Sequence, residues 1–299
     1  MASNDSHLVQ RLDGRVGIWS VGLRRADVDA AVQSACELDS LGFAAVWIPG
    51  SSGGDLFDRV AAVLDATRSI VAATGVLNVW MHTVEEVAAR SSELSAQFDD
   101  RFLLGIGCSH RPLVDRLGLQ YSAPLEKVAA FLDGLDDSTL VPPSRRVLAA
   151  LGPKMLALAA ARSAGAHPFN VTPTHTAMAR QALGPASFLA PELKVILETA
   201  PTKAREIARA QLGLHLKLPN YVANLKRLGF GDDDLSGAGS DRLVDALVAW
   251  GDEETVRRRV AEHIDAGANH VCINVLTPDL ADLPIETWRR LASALCPPG

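Results

Sequence analysis

Short apolar segments alternate with amphipathic, helix-like segments along the chain, and this alternation limits the fold more than any other feature of the sequence. The apolar segments show no polar alternation, which is typical of strands buried on both faces. The segments between them begin at helix N-caps such as Asp27 and end at glycines such as Gly42. Strands that alternate with helices in this way favour a parallel α/β sheet.

Eight such units predict a (β/α)8 barrel. The predicted strands are 16–19, 44–48, one within 71–80, 102–106, 146–150, 166–170, 193–198 and 270–276. The predicted helices are 27–41, 57–68, 83–98, 125–135, 153–163, one opening at Thr172–Pro173, and 253–265. We expect a single domain over 1–299, with 213–250 as a helical insertion between units seven and eight. A doubly wound fold is disfavoured because no Gly-x-Gly-x-x-Gly turn follows a strand near the start.

Composition narrows the range of partners. The 299 residues are 48% hydrophobic with a net charge of −6, which disfavours a nucleic-acid partner. No apolar run approaches the roughly 20 residues of a membrane span. Met1–His7 lacks a signal-peptide pattern, and the four cysteines have no Cys-x-x-Cys spacing. We therefore expect a cytoplasmic protein that acts on a small-molecule substrate, with the helical insertion covering the barrel mouth or serving a homodimer.

The segment 102–110 is the strongest candidate for a functional site. The predicted strand runs into Gly107, Cys108, Ser109 and His110, and parallel sheets bind ligands beyond the carboxyl ends of their strands. Glycines 105 and 107 are expected to let a flat ligand approach the backbone. His110 is the candidate proton donor or acceptor because its ordinary pKa lies near neutrality. The alternative is an ordinary buried strand followed by a polar turn.

Other strand ends carry further candidates. Gly152, Pro153 and Lys154 open a helix directly after the fifth strand, where free N–H groups, the helix dipole and a lysine favour an anion. Histidines 82 and 175 follow other strands and compete with His110, while tryptophans 47 and 80 either wall a substrate pocket or simply pack. No group of residues has the spacing of metal ligands.

With these segments in view, the chain resembles the luciferase-like monooxygenase superfamily, within it the group that binds the deazaflavin coenzyme F420. Four segments carry the resemblance: ELDSLGFAAVW at 37–47, VAATGVLNVW at 71–80, RFLLGIG at 101–107, and GDEETV at 251–256 with Gly267–Ala268 and the strand after them. Each is degenerate, but their order and spacing together are specific. The resemblance implies an eight-stranded barrel with the cofactor ring at the carboxyl ends of the strands.

The resemblance also implies particular contacts. Relatives have a bulge with a non-proline cis peptide at the place of 74–78, so we expect it between Gly75 and Val76, facing the ring with Asn78 nearby. The alternative is a regular strand with an inward Asn78. Relatives bind the cofactor phosphate at the place of Gly152, Pro153 and Lys154, and the bulge with Gly75, Val76 and Asn78 lies against the ring. Gly107, Cys108 and Ser109 are expected to contact the ring because they stand at the end of the fourth strand.

The chain departs from the family after the second strand. Well-known deazaflavin dehydrogenases carry an acidic residue and a histidine there, whereas 49–55 holds Asp55 as its only ionisable residue. This leaves FMN open as the cofactor instead of F420. It also leaves open a barrel that binds a cofactor without turnover, or a hydrolase or isomerase of other chemistry, although neither metal ligands nor a Ser/His/Asp signature supports the last.

Overall fold

The structure is a computed structural model that describes residues 7–50 and 55–296. The strands in this part of the chain are β1 (Arg15–Trp19), β2 (Ala45–Gly50), β3 (Val71–Asn78), β4 (Phe102–Gly107), β5 (Arg146–Leu148), β6 (Gly165–Ala166), β7 (Phe188–Leu189), β8 (Glu192–Ile196), β9 (Val248–Trp250) and β10 (His270–Val275). They form one parallel sheet in the order β7-β6-β5-β4-β3-β2-β1-β10-β8-β9.

Helices fill the connections between the strands. In the described residues they are α1 (His7–Gln10), α2 (Gly22–Arg25), α3 (Val28–Ser40), α4 (Leu56–Ala66), α5 (Val84–Gln97), α6 (Arg111–Arg116), α7 (Pro124–Ser138), α8 (Pro153–Arg162), α9 (Pro173–Leu183), α10 (Pro201–His215), α11 (Pro219–Arg227), α12 (Asp232–Leu235), α13 (Asp241–Leu247), α14 (Glu253–Asp265) and α15 (Ile285–Leu295). The predicted α/β barrel architecture is confirmed. None of the helices described is long and apolar enough to cross a membrane.

The sheet curls so that β7, at one of its ends, is followed along the chain by β8, which lies next to β9 at the other end. Strand β7 pairs with β6, β8 pairs with β10, and only Ala190–Pro191 separates β7 from β8. Strands β7 and β8 thus act as one interrupted barrel strand. The prediction of a single seventh strand at 193–198 missed β7, and β9 had been assigned to the helical stretch. Strands β7 and β9 have two and three residues, which is too short to show a period in the sequence.

Alternate residues of each strand face two different cores, as the pleat of a strand requires. One core lies inside the barrel and includes Trp47, Ala73, Leu103, Val147 and Cys272. The other lies between the sheet and its helices and includes Val46, Ile48, Ala72, Phe102 and Leu104. This two-sided burial explains why the strands read as continuous apolar runs, with all six residues of β4 buried.

Side-chain caps fix where several helices begin. The predicted N-caps Asp27, Thr83 and Thr172 are confirmed, since each accepts a hydrogen bond from an N–H two or three residues further on. Asp55 caps α4 in the same way and lies 3.6 Å from Arg90. Residues 51–54 of the predicted loop at 49–55, and Met1–Ser6 of the predicted polar N-terminus, lie outside the described residues, while positions 49 and 50 belong to β2.

Helices α10–α13 connect β8 to β9 and have a hydrophobic core of their own. Buried residues of this core include Ala208, Leu212, Leu225, Leu243 and Leu247. The predicted insertion boundary at Gly213 falls inside α10, because that helix begins at Pro201. The division into one domain with an insertion, the homodimer and the cytoplasmic location stay predictions.

Candidate active site

Strand β3 carries a bulge near its carboxyl end. It pairs with β4 through Ala73–Leu103 and again through Leu77–Ile106, so four steps along β3 match three steps along β4. The peptide between Gly75 and Val76, inside this bulge, is cis. The predicted bulge and cis peptide are therefore confirmed, and the regular-strand alternative is wrong.

Glycines of β4 make room for the bulge itself. A β-carbon on Gly105 would lie 2.0 Å from the Thr74 carbonyl oxygen, and one on Gly107 would lie 2.6 Å from Cγ2 of Val76. The Thr74 hydroxyl donates to the Gly105 carbonyl at 2.7 Å and accepts from the Gly105 N–H at 2.7 Å. Strand β3 thus occupies the side of both glycines on which a β-carbon would lie, and the approach of a flat ligand to their backbone stays a prediction. A ring contact at Gly107 stays a prediction.

The bulge is also held from inside the barrel. Trp19 Nε1 donates to the Gly75 carbonyl at 2.8 Å, and a β-carbon on Gly75 would lie 2.7 Å from that nitrogen. Asn78 is 2% exposed; its Oδ1 accepts from the Trp80 N–H at 3.1 Å, and its Nδ2 has no hydrogen-bond partner among the described residues. A buried amide donor is thus left for a ligand next to the bulge.

Cys108 follows β4 directly and is half-buried. Burial raises the pKa of its thiol, whose Sγ lies 3.8 Å from the Tyr121 hydroxyl. The Cys108 carbonyl accepts a hydrogen bond from Trp80 Nε1 at 2.9 Å, so the predicted pocket residues Trp80 and Cys108 do meet. A protonated thiol is a poor nucleophile, and the predicted ring contact of Cys108 stays a prediction.

His110 occupies the N-cap position of α6, just after the left-handed Ser109 at φ 56°. Its ring lies 5.3 Å from the ring of Tyr221. Burial lowers the pKa of His110, and the side chain of Asn220 opposes this shift. The imidazole is therefore neutral at pH 7 and retains a nitrogen lone pair that can accept a proton.

Tyr221 joins His110 to an aromatic group that we call the mouth cluster: His110, Phe169, His215 and Tyr221. The Tyr221 ring is 5.3 Å from His215 and 6.4 Å from Phe169, and its side chain is 5% exposed. Burial raises the pKa of Tyr221, so its hydroxyl stays protonated. Tyr221 belongs to α11, and this places the α10–α13 segment against the carboxyl end of β4.

A buried ion pair on β8 lies next to the mouth cluster. Lys194 Nζ donates to Glu192 at 2.8 and 3.0 Å and lies 4.2 Å from the centre of the Phe169 ring. Glu192 also accepts from Asn274 Nδ2 at 2.7 Å and from the Asn170 N–H at 3.0 Å. Both charged side chains are 1% exposed. A pair this deep is tolerated only because the carboxylate accepts hydrogen bonds on both of its oxygens.

Replacing Lys194 with methionine is expected to lower the free energy of unfolding by about 3–5 kcal/mol, because the Glu192 carboxylate would stay buried without its counter-charge. Urea unfolding of the purified variant measures this loss. The double variant Glu192→Gln/Lys194→Met removes both charges and is the matched control, which should recover most of the loss. A single variant as stable as the parent would contradict the role of the pair.

The helix α8 begins without a side-chain cap, as α6, α7, α10 and α11 also do. Gly152 is its N-cap, Pro153 is its first residue, and no side chain caps it. Its first N–H groups therefore keep their hydrogen-bonding capacity for another partner. The Lys154 side chain is exposed at this end. The anion contact at Gly152, Pro153 and Lys154 stays a prediction.

Three other predicted pocket residues have protein partners of their own. Trp47 is fully buried inside the barrel, stacked 4.3 Å from the ring of His167. It lies in the middle of β2 rather than at its end, and it fits the packing alternative. His175 is 2% exposed with Nε2 2.9 Å from the Leu151 carbonyl oxygen. His82 lies 3.4 Å from the Glu86 carboxylate.

Sequence reasoning missed Glu192, Lys194 and Phe169, and it gave Tyr221 only as part of a helix that covers the barrel mouth or serves a dimer. The ion pair does have a signal, since Glu192 and Lys194 are two residues apart in an otherwise apolar strand and therefore share its inner face. For Phe169 and Tyr221 the sequence offers no comparable signal, because their contacts join segments far apart in the chain.

The fold and the residues at its rim define a parallel α/β barrel whose candidate ligand groups lie at the carboxyl ends of the strands. The chain belongs to the luciferase-like monooxygenase family, whose sequence profile matches residues 12–270. Members of this family are oxidoreductases and monooxygenases. Among curated proteins, none matches the chain.

Solved structures share the fold. An F420-dependent secondary alcohol dehydrogenase in complex with an F420-acetone adduct has 13% identity and a TM-score of 0.72, over 94% of this chain and 98% of that one. The coenzyme F420-dependent tetrahydromethanopterin reductase from Methanopyrus kandleri has 14% identity and a TM-score of 0.72, over 96% and 99%. The oxygenating constituent of 3,6-diketocamphane monooxygenase from Pseudomonas putida, in complex with FMN, has 14% and 0.69, over 96% and 99%. At such identities the likeness shows the fold, and these neighbours use different cofactors.

Proposed function

We propose that this protein is an oxidoreductase that uses the deazaflavin coenzyme F420 for hydride transfer to or from a small organic substrate. One observation carries the proposal. Three consecutive barrel strands end in complementary groups: β3 in its bulge, β4 in His110, and β5 in the uncapped start of α8. Ring, proton and phosphate sites therefore lie side by side at the carboxyl end of the barrel.

The residues present fit such a cofactor at both of its ends. Asn78 Nδ2 is a buried donor without a partner in the described residues, and it can bond a polar edge of the ring beside the bulge. The free N–H groups at the start of α8, with Lys154, suit the phosphate. When bound, the cofactor supplies the hydride acceptor or donor, and the protein supplies binding and orientation.

His110 supplies the proton chemistry in this proposal. Its neutral imidazole accepts the proton of a substrate hydroxyl as hydride leaves the adjacent carbon, and returns it in the reverse direction. The Tyr221 ring packs against the imidazole at the barrel mouth. Trp80, Cys108 and Tyr121 contact one another and offer a mostly apolar wall that would keep water from the reacting groups.

Cofactor binding tests the proposal directly. Purified protein is titrated with F420 and, separately, with FMN, and quenching of cofactor fluorescence gives each Kd. We expect tighter binding of F420. The second candidate is an FMN-dependent monooxygenase, and it is supported by the fold shared with an FMN-bound monooxygenase. Preference for FMN would favour this candidate instead. Binding of neither cofactor would overturn the proposal, and binding without turnover of any substrate would indicate a carrier.

The variant Lys154→Glu is expected to weaken binding of the phosphate-bearing cofactor by about tenfold, because its carboxylate would repel the phosphate at the start of α8. The same fluorescence titration measures the change. Lys203→Glu is the control, since Lys203 is exposed on α10 and pairs with Glu198 at 2.6 Å. An unchanged Kd for Lys154→Glu would place the phosphate elsewhere.

A further inference from the structure

Tyr221 brings a phenol hydroxyl from α11 to the mouth of the barrel. Its ring is 5% exposed and lies 5.3 Å from the rings of both His110 and His215. Burial raises the pKa of this phenol, and its interactions with Glu192 on β8 and with Cys108 after β4 raise it further. Strands β4 and β8 are not neighbours in the sheet, so the Tyr221 side chain lies over the opening between them.

The hydroxyl of Tyr221 has no hydrogen-bond partner in the part of the chain that the structure describes. Its oxygen is nevertheless not one of the fully enclosed polar atoms that lack a partner, so it borders accessible space at the barrel mouth. A buried tyrosine ring usually has a partner for its hydroxyl. Because this hydroxyl stays protonated, it can donate a hydrogen bond to an acceptor on a ligand.

The mouth cluster around this hydroxyl is uncharged at pH 7. His110 is neutral, and burial followed by the charge of Lys194 lowers the pKa of His215 to about 3. Lys194 lies beneath the Phe169 ring, and its charge is compensated by Glu192 at 2.8 Å. A charged ligand would lose its hydration here without gaining a free counter-charge, so the cluster favours an uncharged ligand.

We propose that the Tyr221 hydroxyl donates a hydrogen bond to the oxygen of an uncharged alcohol or carbonyl substrate next to His110. That this ligand is the substrate of hydride transfer rests on the proposed function. In the direction of alcohol oxidation, the substrate's hydroxyl proton passes to the His110 imidazole as hydride leaves the adjacent carbon for the cofactor. Tyr221 keeps its own proton and holds the substrate oxygen in place throughout.

The test compares two probes that differ only in a hydroxyl, para-fluorobenzyl alcohol and para-fluorotoluene. Fluorine NMR line broadening gives the Kd of each probe for the full-length parent, Tyr221→Phe and Lys226→Gln, with and without added F420. Tyr221→Phe keeps the ring and removes the hydroxyl, so it should weaken the alcohol by about three- to tenfold and leave the toluene within about twofold. Lys226 is exposed on the same helix and pairs with Asp232 at 2.7 Å, so Lys226→Gln should match the parent with both probes.

The outcomes separate this inference from the proposed function. If the parent does not bind the alcohol, or if Tyr221→Phe binds it as tightly as the parent or loses both probes equally, the inference is overturned while F420 binding still decides the proposed function. A loss confined to the alcohol, in a protein that binds no cofactor, supports the Tyr221 site without the proposed function. The anionic probe para-fluorobenzoate should bind the parent about tenfold more weakly than the alcohol, and equal or tighter binding would overturn the uncharged substrate class. Far-UV circular dichroism confirms that each variant is folded.

Discussion

His110→Ala is expected to lower kcat by about 10²–10⁴-fold while changing cofactor affinity little, because positioned acid–base catalysis contributes a factor of that size. The imidazole lies between the end of β4 and the Tyr221 ring, and neither contact belongs to the predicted phosphate site. Steady-state turnover and the cofactor Kd, measured on the same preparation, separate the two effects. A fall in affinity without a fall in turnover would contradict the proton-transfer role.

His110→Gln serves as the matched control for packing. Glutamine keeps a polar side chain next to Asn220 but cannot carry a proton, so it should be as slow as alanine. The parent's pH profile gives a further check. Since burial lowers the pKa of His110, turnover in the direction that needs the neutral base should be level above about pH 6.5 and fall only at lower pH. Unchanged turnover in both variants would remove His110 from the mechanism.

Stability should fall steeply in mild acid, and this is the largest effect that we expect on the fold. Burial lowers the pKa of His167 to about 4 and the pKa values of His263 and His270 to about 3. The unfolded chain binds protons at these residues below about pH 6.5, whereas the folded chain does not. The free energy of unfolding therefore has its full value above pH 6.5 and decreases as the pH falls toward 4. For three such groups the decrease is up to about 4 kcal/mol per pH unit.

Urea unfolding at several pH values between 7.5 and 5 measures this slope. The variant His263→Gln should reduce it by about 1.4 kcal/mol per pH unit, since one titrating group is removed. His263 Nδ1 lies 2.9 Å from the Thr176 hydroxyl, which glutamine can also contact. The comparison uses the slope and not the absolute stability, so a less stable variant still gives an answer. A stability that is constant from pH 6.5 to 5 would contradict the prediction.

The sequence predicted the parts of the fold that depend on local patterns. Fully apolar runs identify strands such as β4, and the capping residues Asp27 and Thr83 mark helix starts to within a residue. The bulge at Gly75–Val76 came from the family resemblance, and the geometry around it explains the glycines, because Gly105 has no room for a β-carbon. Two-residue strands such as β7 carry no pattern of their own.

The sequence did not predict the contacts between distant segments. Trp47 was a candidate for the pocket wall because it stands near a strand end, yet the pleat turns it into the barrel interior against His167. Tyr221 was expected only to belong to a covering helix, and its packing on His110 joins segments more than 100 residues apart. Such pairings are decided by how α11 lies across the rim, which no local period encodes.

Helix α11 borders both ends of the candidate site, with Tyr221 beside His110 and Arg227 beside Gly152. A single nine-residue helix would then influence both ligand binding and the reaction at His110. Grafting this helix, with its flanking turns, from one family member onto another should therefore change the ligand preference and the substrate preference together. Evolution within such barrels can accordingly change chemistry by replacing one connection, while the eight-unit scaffold beneath stays the same.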